Sequence, residues 1–281
     1  MTITLMRSAR AKGWVVLAGL LILGVAILWG LLIFVWAVLA GTGPDNGAGG
    51  RTAVTPKIIA SASPSPSTSN SSSAEVALKS AKNALAAKPM VQIAPADALP
   101  QPIAASTAGT PVTLPKATDT TGLVPTGYPR TPQGAVAQLA AIDALALKDL
   151  NPLNPRQAYD WAVMPGAVPF AQWTPQVGAS AILTAAGAPH GSTQLTSTWT
   201  LTHAQIKGVL DDGNFVVACV LGEFDANYRS TVRAGVGDCQ RMVWHGGRWR
   251  IGPGAQPAFA PSTWPGSANC VRAGWREARN A

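Results

Sequence analysis

Histidine and cysteine are scarce in this 281-residue chain, three of each, and only 12% of its residues are charged. No HxxxH, CxxC, GxSxG or phosphate-loop pattern occurs, so zinc-site, hydrolase-elbow and nucleotide-loop chemistry find no support. The expectation is no catalytic residue, no metal site and no cofactor. His190, His203 and His245 are scattered. His203 and Glu223 are the imidazole and acid that neighbouring strands could bring into one cavity, but a satisfied structural histidine is the better reading of His203. Asp211 and Asp212 stand before Gly213 and Asn214, which is turn composition more than a metal site. The net charge of +8 is spread along the chain, so no direct nucleic-acid partner is expected.

One stretch, 14–39, contains no charge at all, and Arg7, Arg10 and Lys12 precede it without an acid. At about 1.5 Å per residue it would run roughly 39 Å as a helix, more than a hydrocarbon core of about 30 Å. Its length favours a retained signal-anchor over a cleaved signal, whose apolar region runs only about 7–15 residues. The flanking cations place the N-terminus in the cytoplasm, so the expected layout is a cytoplasmic segment 1–13, a transmembrane helix 14–39 and an extracytoplasmic remainder at the cell membrane.

Aromatic residues are almost absent from 40–128, where Gly, Ser, Thr, Pro and Ala dominate, as in Ser63-Pro64-Ser65-Pro66-Ser67. Such a segment builds no core of its own and is expected to be a disordered linker, with a marginal helix near 74–88. The folded part is expected at 129–281.

Thr131 followed by Pro132 is a cap with proline at the first helical position, and opens a helix to about Leu150. A second helix starts near Asn154-Pro155 and ends before Pro165-Gly166. A third covers about 169–186, with Pro175 kinking it or resetting its start. The pattern then turns to strands: 195–210, a continuous apolar run 215–224 that reads as mid-sheet, 228–244 and 248–251. Gly246-Gly247 is a two-residue hairpin loop, which pairs His245 with Arg248, Trp244 with Trp249, Val243 with Arg250 and Met242 with Ile251. One hairpin face is then apolar. The other carries Arg241, Arg248 and Arg250, left to solvent, to the mouth of a cavity, or to a partner as a candidate contact face. The Pro-rich tail 253–265 is expected along the surface, followed by a short helix with Val271 and Trp275.

Cys219, Cys239 and Cys270 would lie in an oxidising compartment, where disulfides persist. With a tight turn at Ala226-Asn227, Cys219 faces Ala234, five residues from Cys239. Cys239 with Cys270 is therefore the expected disulfide.

Three helices followed by a curved antiparallel sheet of about four strands, behind a single membrane helix, resemble a nuclear transport factor 2-like cone. The segments Gly127-Tyr128-Pro129-Arg130-Thr131-Pro132, Cys239-Gln240-Arg241-Met242-Val243-Trp244 and Ala260-Pro261-Ser262-Thr263-Trp264-Pro265-Gly266 are similar to those of uncharacterised actinobacterial single-pass membrane proteins with such an extracytoplasmic domain. These in turn resemble scaffold proteins of conjugative and type IV secretion systems. The resemblance spans about residues 127–276 and transfers no catalytic residue. It implies a non-enzymatic, membrane-anchored scaffold or assembly component of a conjugation-like transfer apparatus. Its partners would be the lipid bilayer and other envelope or transfer-apparatus proteins, with a homo-oligomer open. The alternative it leaves is a ligand- or lipid-binding cone accessory to envelope transport.

Overall fold

The computed structural model of the chain describes residues 69–189, 192 and 194–281, with backbone alone for 69–72. The expected anchor 14–39 and His190 lie outside the described residues. No helix among those described is long and apolar enough to cross a membrane.

The described elements are α1 (Ser69–Ala87), β1 (Val112–Leu114), α2 (Pro132–Ala146), α3 (Leu153–Ala162), α4 (Thr174–Ala186), β2 (Thr196–Leu210), β3 (Phe215–Tyr228), β4 (Ser230–His245), β5 (Arg248–Ile251), α5 (Ala268–Arg272) and β6 (Arg276–Asn280). The six strands form one curled sheet, a half-barrel, in the order β1-β6-β2-β3-β4-β5. β1 and β6 run parallel and the other neighbours antiparallel. Irregularities in β2 between Leu201 and His203 and between Ile206 and Gly208 add the local twist that curls a sheet.

The expected cone of three helices on four strands is thus corrected to an α+β domain of six strands and five helices among the described residues. The added strands come from the two ends of the domain. β1 and β6 are short, and Val112 to Leu114 pair with Ala278 to Asn280 across most of the domain's sequence. No local pattern announces such a pairing.

Sequence signals do explain the helices. The Thr131 hydroxyl accepts from Gly134 N at 3.1 Å, and Pro132 takes the first turn of α2. α2 stops at Ala146, because Asp149 and Leu150 have positive φ, 54° and 43°, which no helix continues. Pro175 resets the third helix: Phe170–Gln172 is a separate 3-10 turn, α4 starts at Thr174, and Gly187 closes it in the left-handed region at φ 56°.

β3 is apolar on both faces, as its composition predicts. Val216, Ala218, Val220 and Phe224 face the core beneath α2, α3 and α4, which also holds Leu139, Ile142, Trp173, Trp249 and Ile251. Phe215, Val217, Cys219 and Leu221 face the opposite side, and are covered by the supposed linker and the C-terminal tail. Leu85 and Ala86 of α1 pack over Phe215 and Val217. Leu85 fits against Gly208, where any Cβ would come within 2.6 Å of it. Met90, Ala260, Cys270 and Trp275 cover the Cys219 end. Each large side chain buried this way contributes about 1.5–3 kcal/mol.

The disordered-linker expectation for 40–128 therefore fails over 69–128. Composition showed that the segment has no core of its own, but it borrows one from the back of the sheet. Backbone bonds seal it to the tail: Trp264 N donates to Asp97 O at 2.6 Å, Ala104 N to Gly266 O at 2.8 Å, and Ala258 N to Ala86 O at 3.0 Å.

The expected Cys239–Cys270 disulfide is also corrected. Cys219 and Cys239 are bonded, directly opposite in register with Cα atoms 4.1 Å apart, and Cys270 is a buried free thiol. The β3–β4 turn lies at Arg229, with φ 59°, and Tyr228 pairs with Ser230. Placing the turn at Ala226-Asn227 shifts every partner by five residues.

Two outcomes are expected. Non-reducing peptide mapping yields a linked 219–239 pair and one alkylatable thiol at Cys270, and Cys219→Ala with Cys239→Ala lowers stability by about 3 kcal/mol, the magnitude for closing a loop of this length. A fragment beginning at residue 129 exposes Phe215 and Val217 and aggregates or binds a hydrophobic dye, whereas one beginning at residue 69 unfolds cooperatively; chemical denaturation of both checks this.

Candidate functional site

The β4–β5 hairpin has the expected register throughout: His245 with Arg248, Trp244 with Trp249, Val243 with Arg250 and Met242 with Ile251. Trp244 and Trp249 meet edge to face at 5.5 Å. Its three arginines have different fates. Arg241 is only 5% exposed: α1 lies over it, Nη2 donates to Asn83 Oδ1 at 2.9 Å, and the guanidinium sits 5.3 Å from the Phe215 ring centre. It leaves the candidate contact face and serves as a latch for α1. Lys82 reinforces that latch with a 2.6 Å ion pair to Asp211, as does Lys207, which donates to Ala86 O at 2.9 Å.

Arg248 and Arg250 stay half-buried at the sheet edge. Arg248 donates to Trp161 O at 3.2 Å and stacks 4.2 Å from the Trp161 ring centre, and Arg250 donates to Val163 O at 2.8 Å. Together with Met164 N donating to Ile251 O at 2.9 Å, these bonds cover the outer edge of β5.

His203 and Glu223 do not form a shared site. His203 pairs with Leu221 and Glu277, and burial lowers its pKa against the raising effect of Glu277. Glu223 lies opposite Thr200, with its carboxylate bonded to Arg233. Asp211 and Asp212 form the expected turn, at φ 57° and 48°.

The structure instead assembles an acid pair inside the core. Asp143 of α2 and Asp238 of β4 are 1% and 5% exposed, and each has an Oδ1 without a hydrogen-bond partner among the described residues. Gln240 donates to Asp238 Oδ2 at 2.8 Å. Burial raises the Asp238 pKa to about 6, against the lowering effects of Gln240, the Cys239 N–H and the nearby Thr174 hydroxyl. Burial also holds Asp143 well above the carboxylate range, and repulsion from Asp238 adds to it. Among the described residues no cation acts on either carboxyl, so the pair keeps protons at pH values where an ordinary Asp has lost its own.

Sequence reasoning missed this pair, although a signal existed. Asp143 lies seven residues after Val136, four after Leu139 and three before Ala146, on the buried stripe of α2. Asp238 alternates with Gln240 and Met242 on the helix-facing side of β4. Among the described residues no group of three or more His, Cys, Asp or Glu is placed to hold a metal ion. A cleft of about 430 Å³ opens at the other sheet edge, between β1 and the start of α2, lined by Pro111, Pro115, Pro129, Thr131, Gln133 and Arg276 among others. No protein-family model, curated protein or solved structure matches the chain.

The acid pair sets a pH dependence. A carboxyl whose folded pKa is raised binds its proton more tightly in the folded state, so its contribution to stability falls as pH climbs from about 4 to about 6, then levels. Asp238→Asn is expected to raise unfolding free energy at pH 7.5 by on the order of 2 kcal/mol and to change little at pH 4. Urea unfolding at the two pH values measures it; equal effects at both would show that ionisation of the pair is not involved.

Proposed function

We propose that the chain is a non-catalytic, membrane-anchored extracytoplasmic scaffold or assembly component. The observation that carries this reading is that both faces of the sheet are packed with side chains, while the acid pair, the one cluster among the described residues suited to acid–base work, is sealed inside the core. A domain of this kind offers a shape and a surface more readily than a reaction chamber. The buried Cys219–Cys239 disulfide supports an oxidising compartment beyond the membrane. The charge-free stretch 14–39 supports the anchor. A conjugation-like transfer apparatus is the setting that the resembling segments at 127–132, 239–244 and 260–266 suggest.

Purification of the full chain from its native membrane after mild cross-linking is expected to recover envelope or transfer-apparatus proteins in stoichiometric amounts. A protease site inserted between residues 40 and 68 should release a folded domain and dissolve that complex. Recovery of the chain alone, or a complex indifferent to cleavage, would overturn the proposal.

A further inference from the structure

The end of the sheet formed by the β4–β5 hairpin carries a surface patch whose charge the fold does not neutralise. Arg248 and Arg250 lie on the same face of β5, each pinned by a backbone carbonyl, with the Trp161 ring beneath Arg248. The exposed His245, opposite Arg248 in the hairpin register, continues the patch to the turn. Among the described residues the ion pairs use Lys82, Arg156, Arg233 and Arg279, and none reaches Arg248 or Arg250. Burial lowers the Arg248 pKa, and repulsion from Arg250 lowers it further. Two guanidiniums are therefore held close together, partly desolvated, without a counter-charge.

We infer that this patch receives a carboxylate-bearing segment of a protein partner, with Arg248 and Arg250 as the anion receptors and Trp161 as the apolar contact beside them. The inference deepens the scaffold proposal and rests on it. An incoming carboxylate relieves the Arg–Arg repulsion and meets donors whose geometry is already set, so less ordering opposes binding. Trp and Arg are also the residue types that dominate binding energy at protein interfaces. A lipid surface is the weaker match. Polybasic membrane sites use clusters of about 4–8 cations, whereas this patch has two arginines fixed beside one indole.

The test uses the full chain in detergent micelles and a fluorescent ten-residue peptide rich in Asp and Glu, compared with the same peptide carrying Asn and Gln. Anisotropy is expected to show binding of the acidic peptide, at least tenfold weaker binding of the neutral one, and weakening with added salt. Arg248→Gln with Arg250→Gln should lose at least tenfold in affinity, while Arg248→Lys with Arg250→Lys retains part of it. Should the glutamine pair lower the melting temperature, the lysine pair and the salt titration decide. Equal binding of the two peptides, or equal binding of the acidic peptide by the wild-type and lysine- and glutamine-substituted chains, overturns the inference. So does capture of phosphatidylglycerol vesicles through these arginines with no preference between peptides. Native partners that stay bound to the glutamine-substituted chain would move the contact face elsewhere and leave the scaffold proposal standing.

Discussion

β3 has to be covered twice, and the rest of the domain is arranged to do so. From Phe215 to Phe224 it presents apolar side chains to both faces of the sheet, so a single helical layer would leave Phe215, Val217 and Leu221 in water. The helices α2 to α4 supply one cover. The second is assembled from the chain before residue 129 and after residue 252, whose buried side chains cluster with residues of the sheet. Their mutual bonds, from Trp264 N to Asp97 O and from Ala104 N to Gly266 O, close them into one layer. The disulfide lies beneath that layer and ties β3 to β4 where the cover depends on irregular chain.

This dependence explains what could be read from the sequence. Local signals were legible: Thr131-Pro132 opens a helix because a hydroxyl and a missing N–H suit the first turn, and Gly246-Gly247 sets the hairpin register because both glycines take positive φ, 59° and 78°. Cooperative features were not. α1 is mostly exposed and only weakly amphipathic, so nothing in its own pattern reveals the surface it covers. The β3–β4 turn places Arg229, not Gly or Asn, in the left-handed region. Without a turn residue to mark it, the register slips, and a turn placed two to three residues early moves the cysteine partner by five.

The same reasoning separates the three arginines, which strand alternation groups on one face. Alternation assigns a side but not what lies over that side. α1 covers Arg241 and converts a candidate contact into a latch, at a position where Asn83 accepts from Nη2 and the Phe215 ring lies beside the guanidinium. Arg248 and Arg250 instead border the 161–164 segment, whose Trp161 and Val163 carbonyls each accept one bond from a guanidinium. The buried acids follow the same logic in reverse. Asp143 sits on the stripe that its helix spacing sends inward, and only the meeting of α2 with β4 gives it Asp238 for a neighbour.

Moving the domain's start from residue 129 to residue 69 also changes the reach of the proposed anchor. At no more than about 3.5 Å per residue, the chain between residues 39 and 129 would let the domain travel up to roughly 300 Å from the membrane, whereas the chain between 39 and 69 allows roughly 100 Å. For a flexible tether the effective concentration falls roughly as the −3/2 power of length, so a leash three times shorter raises it about fivefold. Under the proposed anchoring, partners held at the same membrane would meet the domain at that higher effective concentration, which favours association through a patch as small as the one proposed at Arg248, Arg250 and Trp161.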